Sequence, residues 1–249
     1  MAKPEVEFDN GLGGFSRDGE YVVSLGKGEH TPMPWCNVIA NDSFGTIVSE
    51  KGGGYTWHDN SRENKLTPWQ DSPVEDPQSE FLLFTDMDSG QTYSPFGGPM
   101  QQGRVLMEHG FGYSRFITGD AGLHTELTVF VHREKPVKYS LIRLKNPGEQ
   151  RRKISVMYGV EWCLGDIPHP EAIYTQAECG FIFARNCRRG KNDQQAYIAA
   201  SVPSEACSDR TAIFRAGWDA EELPNTHGLG CAASALRTVV RLEPGEEKE

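Results

Sequence analysis

The sequence predicts an all-β fold. Three observations carry the prediction: apolar and polar residues alternate with a period of two, Gly and Pro punctuate the chain, and helical periodicity is nearly absent. Ile154, Val156, Tyr158, Val160 and Trp162 fall on one side of a strand, with Ser155, Met157, Gly159 and Glu161 on the other. Leu127, Val129 and Val131 alternate with Glu126, Thr128, Phe130 and His132, and Leu236, Thr238, Val240 and Leu242 with Arg237, Val239 and Arg241. The 27 glycines and 15 prolines gather in clusters such as SPFGGP (94–99), NPGE (146–149) and EPGE (243–246). Many short strands separated by turns point to a β-sandwich or barrel. At 249 residues the chain fits one large all-β domain, with no repeat and no linker to divide it.

Taken in order, the elements begin with NGLGGFSRDG (10–19), a tight bend without the G-x-G-x-x-G of a nucleotide site. DMDSG (86–90) has the first two acids of a calcium loop but no closing bidentate Glu. A hairpin turn joining FLLFT to QTYSP accounts for it better. VKYSLIRLKNPGEQRRKISVMYGV reads as strand, NPGE turn, strand, with Arg151, Arg152 and Lys153 as a solvated strand end. ALRTVVRLEPGEEKE begins the same way and then stops, so a hairpin lacking its second strand is expected, with an exposed edge. On that basis the chain is expected to be a piece of a longer domain or protein.

Composition narrows the function. With 35 acidic against 25 basic residues the net charge is -10, which argues against nucleic acid or an anionic membrane as partner. The N-terminus has no apolar signal region and no stretch is long and apolar enough to span a bilayer. The six cysteines form no C-x-x-C pair, so reduced thiols in a soluble cytoplasmic protein are expected. His124 and His132 are separated by about 26 Å along a strand, so a shared metal with His109 is not expected. There is no G-x-S-x-G, H-E-x-x-H or P-loop, and no carboxylate pair can be picked out by spacing.

One stretch stands apart. Residues 52–69, GGGYTWHDNSRENKLTPW, set Tyr55, Trp57 and Trp69 beside a run of hydrogen-bonding side chains. Sugars present apolar C–H faces and a rim of hydroxyls, which rigid rings and planar bidentate groups match. Equally, the tryptophans would serve as core residues around an ordinary loop.

The sequence from 31 to 77, TPMPWCNVIANDSFGTIVSEKGGGYTWHDNSRENKLTPWQDSPVEDP, resembles the N-terminal β-sandwich domain of glycoside hydrolase family 94, formerly glycosyltransferase family 36. HGFGYSRF (109–116), ELTVFV (126–131), the segment 136–165 and FARN (183–186) extend the resemblance, which is nearest to the cyclic β-1,2-glucan synthase branch. The resemblance implies an antiparallel super-sandwich, galactose-mutarotase-like, spanning residues 1–249 as the N-terminal module of a larger enzyme. In the family a helical linker and an (α/α)6 catalytic barrel follow, and neither is in this sequence. The general acid belongs to that barrel, so no catalytic and no metal-binding residue is expected here. The chain alone is expected to be inactive. The parent is expected to use inorganic phosphate as co-substrate and no cofactor. The implied partners are a β-gluco-oligosaccharide, the catalytic barrel in cis or trans, and a second copy in a homodimer. The residues the resemblance places toward a substrate cleft are Tyr55, Trp57, Asn60, Arg62, Glu63, Asn64 and Trp69, with Arg115 from GYSRF as a further candidate. An internal ion pair is the competing role for Arg115. Two other readings stay open: a purely structural domain bracing the barrel, and a stand-alone enzyme whose carboxylate pair is hidden in the sequence.

Overall fold

The computed structural model describes residues 4–70, 72, 74–98, 100–119, 122–178, 180–188, 195–215 and 223–249, the Arg215 side chain excepted. Strands dominate, and every ladder between named strands is antiparallel. The larger sheet has seven strands: β1 (Gly13–Phe15), β2 (Tyr21–Leu25), β8 (Val105–Gly110), β9 (Tyr113–Thr118), β10 (His124–Val131), β11 (Lys138–Lys145) and β19 (Glu247–Lys248). A five-stranded sheet is ordered β16 (Glu205–Cys207), β18 (Ala233–Leu242), β12 (Arg152–Glu161), β6 (Glu80–Asp86) and β7 (Thr92–Tyr93). Four strands form a third sheet, β15 (Ala196–Ala199), β14 (Phe181–Asn186), β13 (Ile173–Glu178) and β17 (Gly228–Leu229). The fourth has three: β3 (Cys36–Ala40), β4 (Phe44–Ser49) and β5 (Thr56–His58).

The main core lies between the two largest sheets. Val23, Met107, Phe116, Leu127 and Leu144 of one meet Leu82, Phe84, Tyr93, Ile154 and Leu242 of the other. β12 is long enough to serve two cores with one face. Ile154 and Val156 enter the main core, while Val160 continues into a second, where Ile173, Ile182, Ala184 and Ile198 pack from the four-stranded sheet. Its opposite face is buried too. Met157 packs with Phe81, Leu83 and Ala235 beneath a short helix, α1 (Arg210–Arg215). The alternation in β12 therefore separates the first two cores from a third rather than core from solvent. Gly159 is required there, since a Cβ would lie 2.1 Å from the Phe81 ring.

The DMDSG turn does join two paired strands, with Phe84 opposite Tyr93. Asp86 closes it, one carboxylate oxygen accepting the Asp88 and Ser89 N–H groups at 2.9 Å each. The other oxygen holds Arg152. The basic run at 151–153 is thus not wholly solvated, because Arg152 is spent on the turn.

The expected NPGE hairpin is not formed. β11 belongs to the seven-stranded sheet and β12 to the five-stranded one, so the turn is a corner between layers. EPGE is a second corner of the same kind. It carries the chain from β18 to β19, which pairs with β11 through Lys145 opposite Glu247 and Leu144 opposite Lys248. The residues after EPGE therefore make a strand in the other sheet, where a missing hairpin partner was expected. Asn146 ties the two corners together and is fully buried. Its amide donates to the carbonyls of Gln150 (2.7 Å), Leu242 and Glu243 (3.2 Å each), and its backbone pairs with Gly245 and Glu246. Asn146→Ala leaves buried carbonyls unsatisfied, and an expected loss of about 2–3 kcal/mol should show as a lower urea midpoint at unchanged m-value.

Candidate functional site

The loop 52–69 connects β4 to the body of the sandwich through β5, and its glycines are dictated by packing. A Cβ on Gly53 would lie 2.0 Å from the Asp76 carboxylate. Gly54 has φ +126°, and its Cβ would sit 2.0 Å from the Ile47 carbonyl oxygen. Only glycine lets the backbone pass here.

From that crossing the chain lays down three rings. Tyr55 is in the middle and buried, 6% exposed. Trp69 stacks on it with centroids 5.0 Å apart and an interplanar angle of 13°. Trp57 leans against it at 5.2 Å and is itself half-buried over Gly45, where a Cβ would meet the indole at 2.3 Å. Trp69 is 38% exposed. Of the three rings it offers the open face, with Tyr55 as its rigid backing.

The polar residues divide in the same way. The Asn60 side chain accepts the N–H groups of Arg62 and Glu63 at 2.9 Å each, making an Asx turn. Asn64 is buried, 8% exposed, and donates to the His58 carbonyl at 2.9 Å. Both asparagines shape the loop. Arg62 and Glu63 project outward, 3.6 Å apart and largely exposed. Seven of the eight residues named from the sequence thus share one loop. Arg115 does not join them: it stands on β9 of the seven-stranded sheet, ion-paired with Glu108 of β8.

The feature sequence reasoning missed lies beneath the loop. Glu80, at the start of β6, accepts hydrogen bonds from Thr56 Oγ1 (2.5 Å) and Thr67 Oγ1 (3.0 Å), one from each end of the loop. Its other oxygen pairs with Lys138 of β11 and accepts Tyr158 Oη at 2.8 Å. Burial alone would raise the Glu80 pKa, but the Lys138 ammonium and the Thr56 and Tyr158 hydroxyls outweigh it and hold the carboxyl below its usual value. Tyr158 is driven well above the usual tyrosine value by burial and by the Glu80 charge. A cavity of about 30 Å³ lies between Glu80, Lys138 and Tyr158 and the apolar side chains of Val48, Phe96, Leu127 and Val129. In the sequence, Tyr158 looks like any core residue of an alternating strand and Glu80 like a charge at a strand edge.

Glu50 and Asp76 form a carboxylate pair close to the loop. Burial raises both, and the Asp76 charge adds to the effect on Glu50. Glu50 is fully buried, with Thr31 Oγ1 and the Trp35 N–H on its oxygens, and Asp76 is held by Ser49 Oγ. Neither presents its carboxylate to a substrate. His124 opens β10 and His132 follows its last residue, and among the described residues no three His, Cys, Asp or Glu side chains gather as metal ligands. Among the described residues no helix is long and apolar enough to cross a membrane.

Residues 19–249 match the family model described as the glycosyl hydrolase 94 supersandwich domain. The chain belongs to this family. Among proteins of known name, it is 40% identical over 264 aligned positions to the cyclic beta-(1,2)-glucan synthase NdvB of Rhizobium meliloti (strain 1021), covering 98% of this chain and 9% of that protein. It is 28% identical over 160 positions to the N,N'-diacetylchitobiose phosphorylase of Vibrio proteolyticus, covering 62% of this chain and 20% of the relative. The 3-O-beta-D-glucopyranosyl-beta-D-glucuronide phosphorylase of Paenibacillus borealis is 23% identical over 251 positions, 92% of this chain and 31% of its own. The chain therefore spans less than a third of the length of each of these relatives. As a glycosyl hydrolase 94 supersandwich, it has the antiparallel, multi-sheet architecture that the alternating strands and the family resemblance pointed to.

Proposed function

We propose that this supersandwich is the sugar-facing, non-catalytic module of a β-glucan synthase or phosphorylase, and that its loop 52–69 contacts the glucan. The observation that carries the reading is the Trp69 ring, 38% exposed and stacked on a buried tyrosine. A ring held flat at one fixed angle meets the C–H face of a pyranose without a further ordering cost. Arg62 and Glu63 supply planar donors and acceptors for hydroxyls beside it. Catalysis, with inorganic phosphate as co-substrate where the enzyme is a phosphorylase, belongs to a barrel outside this chain, and the sandwich also braces that barrel and a dimer. The names of the relatives, a β-1,2-glucan synthase and two sugar phosphorylases, support a carbohydrate as partner, and the first of them a β-glucan.

Trp69→Ala is expected to weaken binding of β-gluco-oligosaccharides roughly tenfold while costing about 2 kcal/mol of stability, from the stacked pair with Tyr55 and the covered part of a ring that is 38% exposed. Trp57→Ala should do the reverse, costing about 3 kcal/mol through the cavity left over Gly45. Calorimetric titration with β-1,2- and β-1,4-linked sugars, paired with urea denaturation of each variant, separates the two. A Trp69 variant that binds sugar as the parent does would leave the loop as a brace only.

A further inference from the structure

The four-stranded sheet buries one face and leaves the other open. Ile173, Ala177, Ile182, Ala184, Ala196 and Ile198 point inward to the second core. The alternate residues point outward, and Tyr174, Phe181, Phe183 and Tyr197 among them are aromatic. In register across β13, β14 and β15 stand Gln176, Phe183 and Tyr197 in one row and Glu178, Phe181 and Ala199 in the next. Phe183 is 38% and Tyr197 47% exposed. Phe181 fixes both, edge-on to Phe183 at 4.2 Å and stacked with Tyr197 at 5.6 Å and 22°. A third row places Tyr174 opposite Arg185, whose guanidinium lies 5.0 Å over the phenol ring.

We propose that this face is a second carbohydrate-binding surface, separate from the loop 52–69, on which an extended β-gluco-oligosaccharide lies across Phe183 and Tyr197. Within their row Phe183 and Tyr197 stand on neighbouring strands, whose spacing of about 4.8 Å is close to the width of a pyranose. Neighbouring Gln176, Glu178 and Arg185 offer amide, carboxylate and guanidinium groups to hydroxyls. The charges of Glu178 and Arg185 cancel, so on a chain of net charge -10 this patch is neutral, which suits an uncharged ligand. Leu229 on β17 is the one large aliphatic side chain facing out among the described strands of the sheet, so the face offers rings and polar groups rather than an aliphatic patch. The inference shares only its ligand class with the preceding reading.

Affinity electrophoresis of the full chain through gels containing soluble β-glucan, with calorimetry on a defined β-1,2-linked oligosaccharide, tests it. Phe183→Ala/Tyr197→Ala should weaken retention roughly tenfold at an unchanged circular dichroism spectrum, because both residues are exposed. Tyr197→Phe keeps the ring and should keep most of the retention. Trp69→Ala should leave this component in place, and combining it with Phe183→Ala/Tyr197→Ala should abolish binding. If Trp69→Ala alone removes all binding, the second surface is absent and the loop reading stands. If Trp69→Ala changes nothing while Phe183→Ala/Tyr197→Ala does, the loop reading fails and this one stands. A folded Phe183→Ala/Tyr197→Ala variant with unchanged sugar retention overturns the proposal, and a shift in its sedimentation coefficient would then assign the face to a second copy of the chain.

Discussion

Glu80→Ala is expected to destabilise the domain by about 3–5 kcal/mol, because it leaves the Lys138 ammonium buried without its counter-charge. Both partners are 13% exposed, so water does little to compensate. The same substitution frees Thr56 and Thr67, which Glu80 holds from opposite ends of the loop. The near-ultraviolet circular dichroism of the stacked Tyr55, Trp57 and Trp69 should collapse at denaturant concentrations where the far-ultraviolet signal of the sheets persists. Glu80→Gln keeps the hydroxyl partners but still strands Lys138, so it should fall between Ala and the parent. Removing both charges together, as Glu80→Leu with Lys138→Met, should recover most of the stability without restoring the loop. A loss below about 1 kcal/mol for Glu80→Ala would mean that the ion pair contributes no more than a surface one. The depressed Glu80 pKa adds a sign: its contribution is present above the unfolded value of 4.5 and is lost as pH falls through the lower folded value.

His109 produces the second large effect, in a different pH window. Its Nδ1 sits 2.9 Å from Ser114 Oγ, its Nε2 is buried with no hydrogen-bond partner, and burial lowers its pKa from 6.5 to about 4. Between those values the unfolded chain takes up a proton that the folded one refuses. Stability is thus full above pH 6.5 and falls with pH down through the folded value, by about 3 kcal/mol in total and about 2 kcal/mol by pH 5. Glu50 and Asp76, whose folded values are raised, act in the opposite sense at the acid end and lose their contribution as pH rises. His109→Gln should flatten the slope between pH 7.5 and 5 and leave the carboxylate effects in place. Chemical denaturation at several pH values measures it, and an unchanged slope in the variant would show that His109 titrates normally.

Much of the fold was legible because strand alternation is a local signal. β10, β12 and β18 were each visible as alternating runs, and the DMDSG turn as a turn. What was not legible depends on layers. NPGE and EPGE look like hairpin turns from their residues alone, yet each carries the chain from one sheet to another, and only Asn146, reaching both, reveals it. α1 was missed because it is six residues long, too short to show a period, although Asp209 caps it through the Thr211 and Ala212 N–H groups. The loop residues were found through their chemistry and the family resemblance. Their division was not: Asn60 and Asn64 are consumed by the backbone, Tyr55 is buried, and Trp69, Arg62 and Glu63 face out. Glu80, which holds the loop at Thr56 and Thr67, was not legible either, because its partners meet it only in space.

The indole N–H resonances of the five tryptophans offer the most direct test of the central claim, that Trp69 meets the sugar. Titration of the labelled chain with a β-1,2-linked gluco-oligosaccharide into the millimolar range should shift the Trp69 signal saturably. Trp162, 3% exposed and bonded to Ser234 Oγ at 2.8 Å, should stay where it is. A Trp69 resonance that does not move while sugar saturates the chain would contradict the account and leave the loop as scaffold.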